Sequence, residues 1–185
     1  METSSSRILM RTFIGERVYV RPMSETDATS VYAAWLNDSE VNKYLATKST
    51  TVEELKRYIA TKNGQSDTLL FGMFLKEDNR HIGTIKLEPI DIANKRATIA
   101  IMLGDKREWG KGYGPESMRL LITHCFNELG LEEVNLGVLA QNVSAIKSYE
   151  KIGFKEVKRE AGAITYPNGI FDQVTMTLHT DSYVS

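Results

Sequence analysis

Glycines at 104, 110, 112 and 114 separate the apolar run Ala97–Leu103 from a helical pattern that begins at Pro115. This junction constrains the chain more than any other stretch. A strand that passes through a glycine-rich loop into a helix N-terminus commits the chain to a sheet with a helix packed across it. Glycines there let successive backbone N–H groups converge on one point, and the helix dipole adds partial positive charge. The loop is thus suited to an anion such as a pyrophosphate. Arg107 and Lys111 add positive charge nearby. A glycine-rich turn that serves packing alone is the plain alternative.

The spacing excludes two familiar phosphate loops. A Walker loop needs four residues between its first glycine and Gly-Lys, then Ser or Thr. Here five separate Gly104 from Gly110, and Gly112 follows Lys111. The dinucleotide fingerprint G-x-G-x-x-G also fails, because Gly110-Lys111-Gly112 runs into Tyr113-Gly114-Pro115.

The rest of the chain agrees with a mixed sheet. Alternation predicts a strand at Val18–Val20, ended by Pro22. Ser24 with Asp27 resembles a capping box and opens a helix to about Trp35; Glu40–Leu45 reads as a short helical turn. A fuller box, Thr51 with Glu54, opens a helix to about Thr61. Leu69–Leu75, Ile82–Glu88 and Ala97–Leu103 then read as a meander of strands, the last apolar on both faces as in a central strand. Beyond the glycine loop come a helix from Pro115 to Leu129, a strand Val134–Leu139 and a helix Val143–Ile152 stopped by Gly153. Phe154–Lys158 and Gln173–Leu178 close the pattern as a hairpin. The prediction is an α/β protein with a mixed sheet of six or seven strands and about four helices.

Composition narrows the function classes. The 185 residues carry 23 Lys+Arg against 24 Asp+Glu, a net charge of −1, which gives no basic footprint for nucleic acid. No run of about 18 apolar residues predicts a membrane span. The polar start Met1-Glu2-Thr3-Ser4-Ser5-Ser6 has no apolar signal core, so the expected location is cytoplasmic. Residues 1–10 are expected to be a disordered lead-in and 11–185 a single domain. The single cysteine, Cys125, excludes an internal disulfide and sits on the apolar stripe of its helix, where it reads as core. His81, His124 and His179 lack metal-ligand spacing and read as structural or exposed, and no metal is expected.

A second constellation joins the loop. Asn142 follows a strand and opens a helix that carries Ser144, Ser148 and Tyr149, and Lys151-Ile152-Gly153-Phe154 ends it. Asn142 suits an N-cap, and Tyr149 a core aromatic with its hydroxyl at the rim.

Together the two segments resemble the GNAT superfamily of acyl-CoA-dependent N-acetyltransferases. Its pyrophosphate loop, Gln/Arg-x-x-Gly-x-Gly/Ala, stands here as Arg107-Glu108-Trp109-Gly110-Lys111-Gly112. Its second signature stands as Asn142, Tyr149 and Lys151-Ile152-Gly153-Phe154. Glu16–Pro22 and Trp35–Asp38 are similar to the branch acting on ribosomal-protein N-termini, polyamines and amino-sugar nucleotides. The resemblance implies acetyl-CoA as co-substrate and direct transfer to an amine. It implies that backbone groups from Arg107 to Gly112, continued by Tyr113 and Gly114, hold the pyrophosphate. Ile101, Met102 and Leu103 would splay from the parallel neighbour and pair with pantetheine amides. Asn142, with Ser144 and Ser148, would line the pantetheine arm. Tyr149 would protonate the departing thiolate.

Many relatives carry Glu as general base where Thr98 stands here. Glu88 is then the candidate base; a water chain, or an amine that binds already neutral, is the alternative. The acceptor classes are a peptide or protein N-terminal amine, an amino-sugar nucleotide or a polyamine, with an acidic patch of Glu40, Glu53 and Glu54 keeping the polyamine open. Trp35 and Tyr44 either shape the acceptor cleft or pack helices. The non-enzymatic alternative is an acyl-CoA sensor, and the expected assembly is a monomer or homodimer.

Overall fold

The structure, a computed structural model, describes residues 11–184. The lead-in expected for residues 1–10 lies outside the described residues. One eight-stranded sheet runs in the order β1-β2-β3-β4-β5-β6-β8-β7. Its strands are β1 (Phe13–Ile14), β2 (Val18–Pro22), β3 (Leu69–Leu75), β4 (His81–Asp91), β5 (Arg96–Leu103), β6 (Glu133–Leu139), β7 (Lys155–Tyr166) and β8 (Gly169–His179). The helices are α1 (Ser30–Asn37), α2 (Val52–Asn63), α3 (Tyr113–Asn127) and α4 (Val143–Ile152).

The expected six or seven strands become eight because Phe13–Ile14 pairs with Tyr19 and Val20. That pairing is too short to show as a periodic pattern. Helix α1 starts later than Ser24 suggested: the Ser24/Asp27 box closes only a 3₁₀ turn at Glu25–Asp27, and Thr29 caps the helix proper. The Thr51/Glu54 box forms as read and opens α2. Helix α3 begins at Tyr113, which puts Pro115 inside the first turn, where a missing N–H costs nothing.

Two apolar layers sandwich the sheet. Alternate residues of each strand face opposite ways. Phe71, Met73, Ile85, Leu87 and Ile99 meet Met118, Leu121, Ile122 and Cys125 of α3. On the other face Leu70 meets Tyr32, Trp35, Leu36, Leu55 and Ile59 of α1 and α2.

One seam of the sheet is incomplete. β5 and β6 are parallel neighbours, yet they pair only at Arg96↔Glu133, Ala97↔Val134 and Thr98↔Asn135. Beyond Thr98, β5 continues against β4 as far as Leu103↔Gly83, and β6 continues against β8 as far as Leu139↔Gln173. Each strand keeps its outer partner while the seam between them opens. This is why Ala100 is exposed and Ile101, Met102 and Leu103 are only half-buried, although β5 is central.

Candidate active site

The glycine loop and the N-terminus of α3 lie at the end of β5. Gly110 and Gly112 adopt φ of 76° and 87°, in the left-handed region that side chains resist. Gly112 is the N-cap of α3. Among the described residues, no hydrogen bond uses the backbone N–H of Gly110, Lys111, Gly112, Tyr113 or Gly114. These are unspent donors at the positive end of a helix dipole, the arrangement a pyrophosphate fits.

The charged side chains of the loop are engaged elsewhere. Asp105 is buried and accepts from the Arg107 backbone N–H at 3.1 Å and from its Nη2 at 2.7 Å. Arg80 joins the same carboxylate and also reaches Glu108 Oε1 at 2.9 Å. Lys111 Nζ donates to Glu108 Oε2 at 2.9 Å. The Arg107 contact holds Asp105 below the usual carboxylate range, and Lys111 does the same for Glu108. With these side chains paired, the positive potential left at the loop comes from backbone dipoles. Trp109 Nε1 donates to the Leu103 carbonyl at 2.8 Å, which folds the loop back onto the end of β5.

Arg17 is a brace that sequence spacing does not reveal. Its Nη1 donates to the Lys111 carbonyl at 2.8 Å and its Nε to Glu116 Oε2 at 2.9 Å. Glu116 Oε1 also accepts the backbone N–H of Arg17 at 2.7 Å, and the guanidinium lies 4.8 Å from the Tyr113 ring centre. In sequence Arg17 only flanks a strand; 99 positions separate it from Glu116, so no local signal connects them.

The other bank of the seam ends in α4. Asn142 Oδ1 caps that helix through the Ala145 N–H at 3.4 Å and accepts from Ser144 Oγ at 3.2 Å. Ser148 is half-buried on the same helix and Ser144 is exposed. Tyr149 packs edge-on to Phe154 with ring centres 6.1 Å apart. Burial pushes its hydroxyl up to about 12. At neutral pH the group is a protonated donor.

Glu88 lies on the face of β4 shared with Thr84 and Lys86, between the ammonium groups of Lys62 and Lys86. Burial opposes its ionisation, but the two lysines prevail and hold the carboxyl below its ordinary range. A carboxylate so stabilised is a weak proton acceptor. Thr98 Oγ1 donates to Asn135 Oδ1 at 2.8 Å on the last paired rung.

Trp35 is 8% exposed and packs beneath Gly104, where an added Cβ would sit 2.3 Å from the indole ring. Its role is packing that holds the loop's base against α1. Tyr44 is half-buried, and its hydroxyl donates to the Gln141 carbonyl at 3.2 Å. The acidic side chains expected to form a patch are separately engaged: Glu40 with Lys106, Glu53 with Lys56, and Glu54 in its capping box. Cys125 is fully buried, and burial pushes its thiol up to about 12. His124 is buried, His81 packs among Tyr32, Trp35 and Phe74, and His179 is exposed. Among the described residues, no helix is long and apolar enough to cross a membrane.

Comparison with known proteins agrees with this geometry. The profile of the acetyltransferase (GNAT) domain matches residues 17–155. The uncharacterized N-acetyltransferase p20 of Bacillus licheniformis is 33% identical over 80% of this chain and 84% of its own. YdaF of Bacillus subtilis, provisionally named a ribosomal N-acetyltransferase, is 30% identical over 72% of this chain and 67% of its own. The spermidine N-acetyltransferase of Vibrio cholerae, solved with CoA and spermine, superposes with a TM-score of 0.78 at 20% identity, over 91% of this chain and 99% of that one. A profile match over most of the chain, together with a relative one-third identical over 84% of its own length, places this chain in the GNAT acetyltransferase family.

Proposed function

We propose that the protein moves an acetyl group from acetyl-CoA to the terminal amine of a peptide or protein, by direct transfer in a ternary complex. The observation that carries this reading is the seam that opens after Thr98↔Asn135, with free loop amides on one bank and Asn142 and Tyr149 on the other. An open parallel seam exposes backbone N–H and C=O groups that a pantetheine arm, itself an amide chain, is able to pair with. The free loop amides from Gly110 to Gly114 take the pyrophosphate, Ile101 to Leu103 pair with the arm, and Asn142, Ser144 and Ser148 line it; the amides of Arg107, Glu108 and Trp109, expected to join the pyrophosphate, are already spent on Asp105 and Lys106 within the 3₁₀ turn.

In the reaction, the amine lone pair attacks the thioester carbonyl carbon and the C=O electrons move onto oxygen. A backbone N–H near Met102 or Leu103 stabilises that oxyanion. The C=O bond re-forms as the C–S bond breaks, and the Tyr149 hydroxyl donates to the departing sulfur. A tyrosine pushed up to about 12 transfers its proton reluctantly to a thiolate in water. Burial raises the thiol's own affinity for a proton in the same way and narrows the gap. The amine proton leaves through solvent at the exposed Ala100 side, since Glu88 is held between two lysines.

The acceptor choice rests on electrostatics. A polyamine needs unpaired carboxylates, and Glu40, Glu53 and Glu88 are each ion-paired to lysine. The provisional name of YdaF favours a ribosomal-protein N-terminus. Thiol release from acetyl-CoA, measured against N-terminal peptides, amino-sugar nucleotides and polyamines, tests the reading. Release with peptides alone is expected. Release with spermidine alone overturns the acceptor, and CoA binding without release from any amine favours a sensor.

A further inference from the structure

Lys106 opens the 3₁₀ turn that follows β5, immediately before the phosphate motif, so its ammonium would be read as one more phosphate contact. It is committed elsewhere. Nζ lies 2.8 Å from Asp38 Oδ2 and 2.9 Å from Glu40 Oε2, both in the segment that follows α1. That segment continues through a 3₁₀ turn at Asn42–Tyr44 and reaches the opposite bank, where the Tyr44 hydroxyl meets the carbonyl of Gln141, next to Asn142. Residues 38–44 are thus held at the β5 bank by Lys106 and at the β6 bank by Tyr44, and they span the mouth of the open seam on the α1/α2 face.

The span is internally stiff. Asp38 Oδ1 accepts the backbone N–H of Glu40 at 2.8 Å and of Val41 at 3.3 Å. Buried Asn42 donates to the carbonyls of Leu36 at 2.8 Å and Lys48 at 3.0 Å. Val41 and Leu45 pack on the same apolar cluster as Met102 of β5. A stiff element held at two points moves as a unit when either point moves, and the β5 anchor belongs to the turn that leads into the pyrophosphate loop.

We propose that Lys106 is a positioning residue for the amine acceptor and not a phosphate ligand: it transmits the ordering of the phosphate loop to the 38–44 span that bounds the acceptor's approach to the thioester. Coupling of this kind is reciprocal, so acetyl-CoA tightens acceptor binding and acceptor tightens acetyl-CoA binding. The Lys106 contacts are exposed, so the coupling weakens as salt rises. The inference rests on acetyl-CoA occupying the seam, as proposed above.

The test compares wild type, Lys106→Met, Lys106→Arg and Tyr44→Phe. CoA affinity is measured by calorimetry, and amide hydrogen exchange of residues 38–45 is followed with and without CoA. In the wild type, CoA slows exchange in that span by about fivefold or more. In Lys106→Met, CoA binds within about twofold of wild type but the slowing is lost, and Lys106→Arg retains it. With an acceptor that turns over, Lys106→Met and Tyr44→Phe raise the acceptor KM by about fivefold and, by reciprocity, weaken acetyl-CoA at saturating acceptor by a similar factor, while CoA alone binds as in wild type. Equal protection in wild type and Lys106→Met overturns the inference. So does a loss of CoA affinity in Lys106→Met that matches its effect on acceptor, because Lys106 would then be a phosphate ligand. CoA that binds wild type without protecting the span overturns this inference alone; no CoA binding at all overturns the reading on which it rests.

Discussion

The Thr98 hydroxyl donates to Asn135 Oδ1 at 2.8 Å on the last rung that β5 and β6 share, so a neutral pair stands at the apex of the open seam. Neither group titrates in the neutral range. The pH dependence of kcat/KM is therefore expected to follow the acceptor's own amine. Two peptides whose N-terminal amines differ by about one pKa unit should show rising limbs displaced by that same unit. Superposable profiles from both peptides would mean that an enzyme group sets the limb.

Tyr149→Phe removes the donor and keeps the ring against Phe154. The expected loss in kcat is about a hundredfold or more, with the acetyl-CoA KM within about twofold. Because burial pushes the tyrosine up to about 12, wild-type kcat should show no falling limb between about pH 8 and pH 10. Steady-state kinetics in overlapping buffers reads both effects.

Gly112→Ala forces a side chain onto a φ of 87° and puts its Cβ 3.3 Å from Arg17 Nη2. At Gly110, φ is 76° but an added Cβ meets nothing within 4 Å. Both alanines carry about 1–2 kcal/mol of backbone strain, and only the one at 112 also displaces Arg17. CoA titration should show weakening at both sites, about tenfold at 112 and less at 110. The reverse order would show that Arg17 does not hold the loop.

Arg17→Met deletes the donors to Glu116 and to the Lys111 carbonyl and keeps much of the apolar stem. The half-buried Glu116 then retains only its backbone donors. The expected result is CoA affinity lowered by about three- to tenfold, with a loss of about 1 kcal/mol in stability. Calorimetry and urea unfolding separate the two.

Cys125 is fully buried and its thiol is pushed up to about 12. The native enzyme should resist iodoacetamide at pH 8 and lose no activity. Cys125→Ser places a hydroxyl among Leu121, Ile122 and Phe126 and should cost about 1–3 kcal/mol of stability, with activity per folded molecule retained. Rapid inactivation by the reagent would place the thiol within reach of solvent.

The secondary structure was largely legible because its signals are local. The Thr51/Glu54 box, the glycine at 153 in the left-handed region and the alternation of Thr84, Lys86 and Glu88 against Gly83, Ile85 and Leu87 all read directly. The short strand Phe13–Ile14 escaped because two residues carry no period. The side chains of Arg107 and Lys111 read as phosphate-facing charge, yet both turn to buried carboxylates. Arg80, which shares those carboxylates, comes from a distant turn, and no spacing rule reports it.

By itself, the sequence determined where strands give way to helices, which loop presents free amides to an anion, and which aromatic follows the capping asparagine. Those features depend on residues within a turn or two of one another, where backbone preference and side-chain periodicity decide the outcome. Only the tertiary structure decided that the β5/β6 pairing stops at Thr98, that Glu88 is held between Lys62 and Lys86, that Arg17 braces the glycine loop, and that Lys106 ties the turn before it to Asp38 and Glu40. Apart from the Lys86–Glu88 pair, which β4 itself brings together, each of these is a contact between segments far apart in the chain. Its partner is chosen by how whole layers pack and by which charges remain unpaired once they have packed.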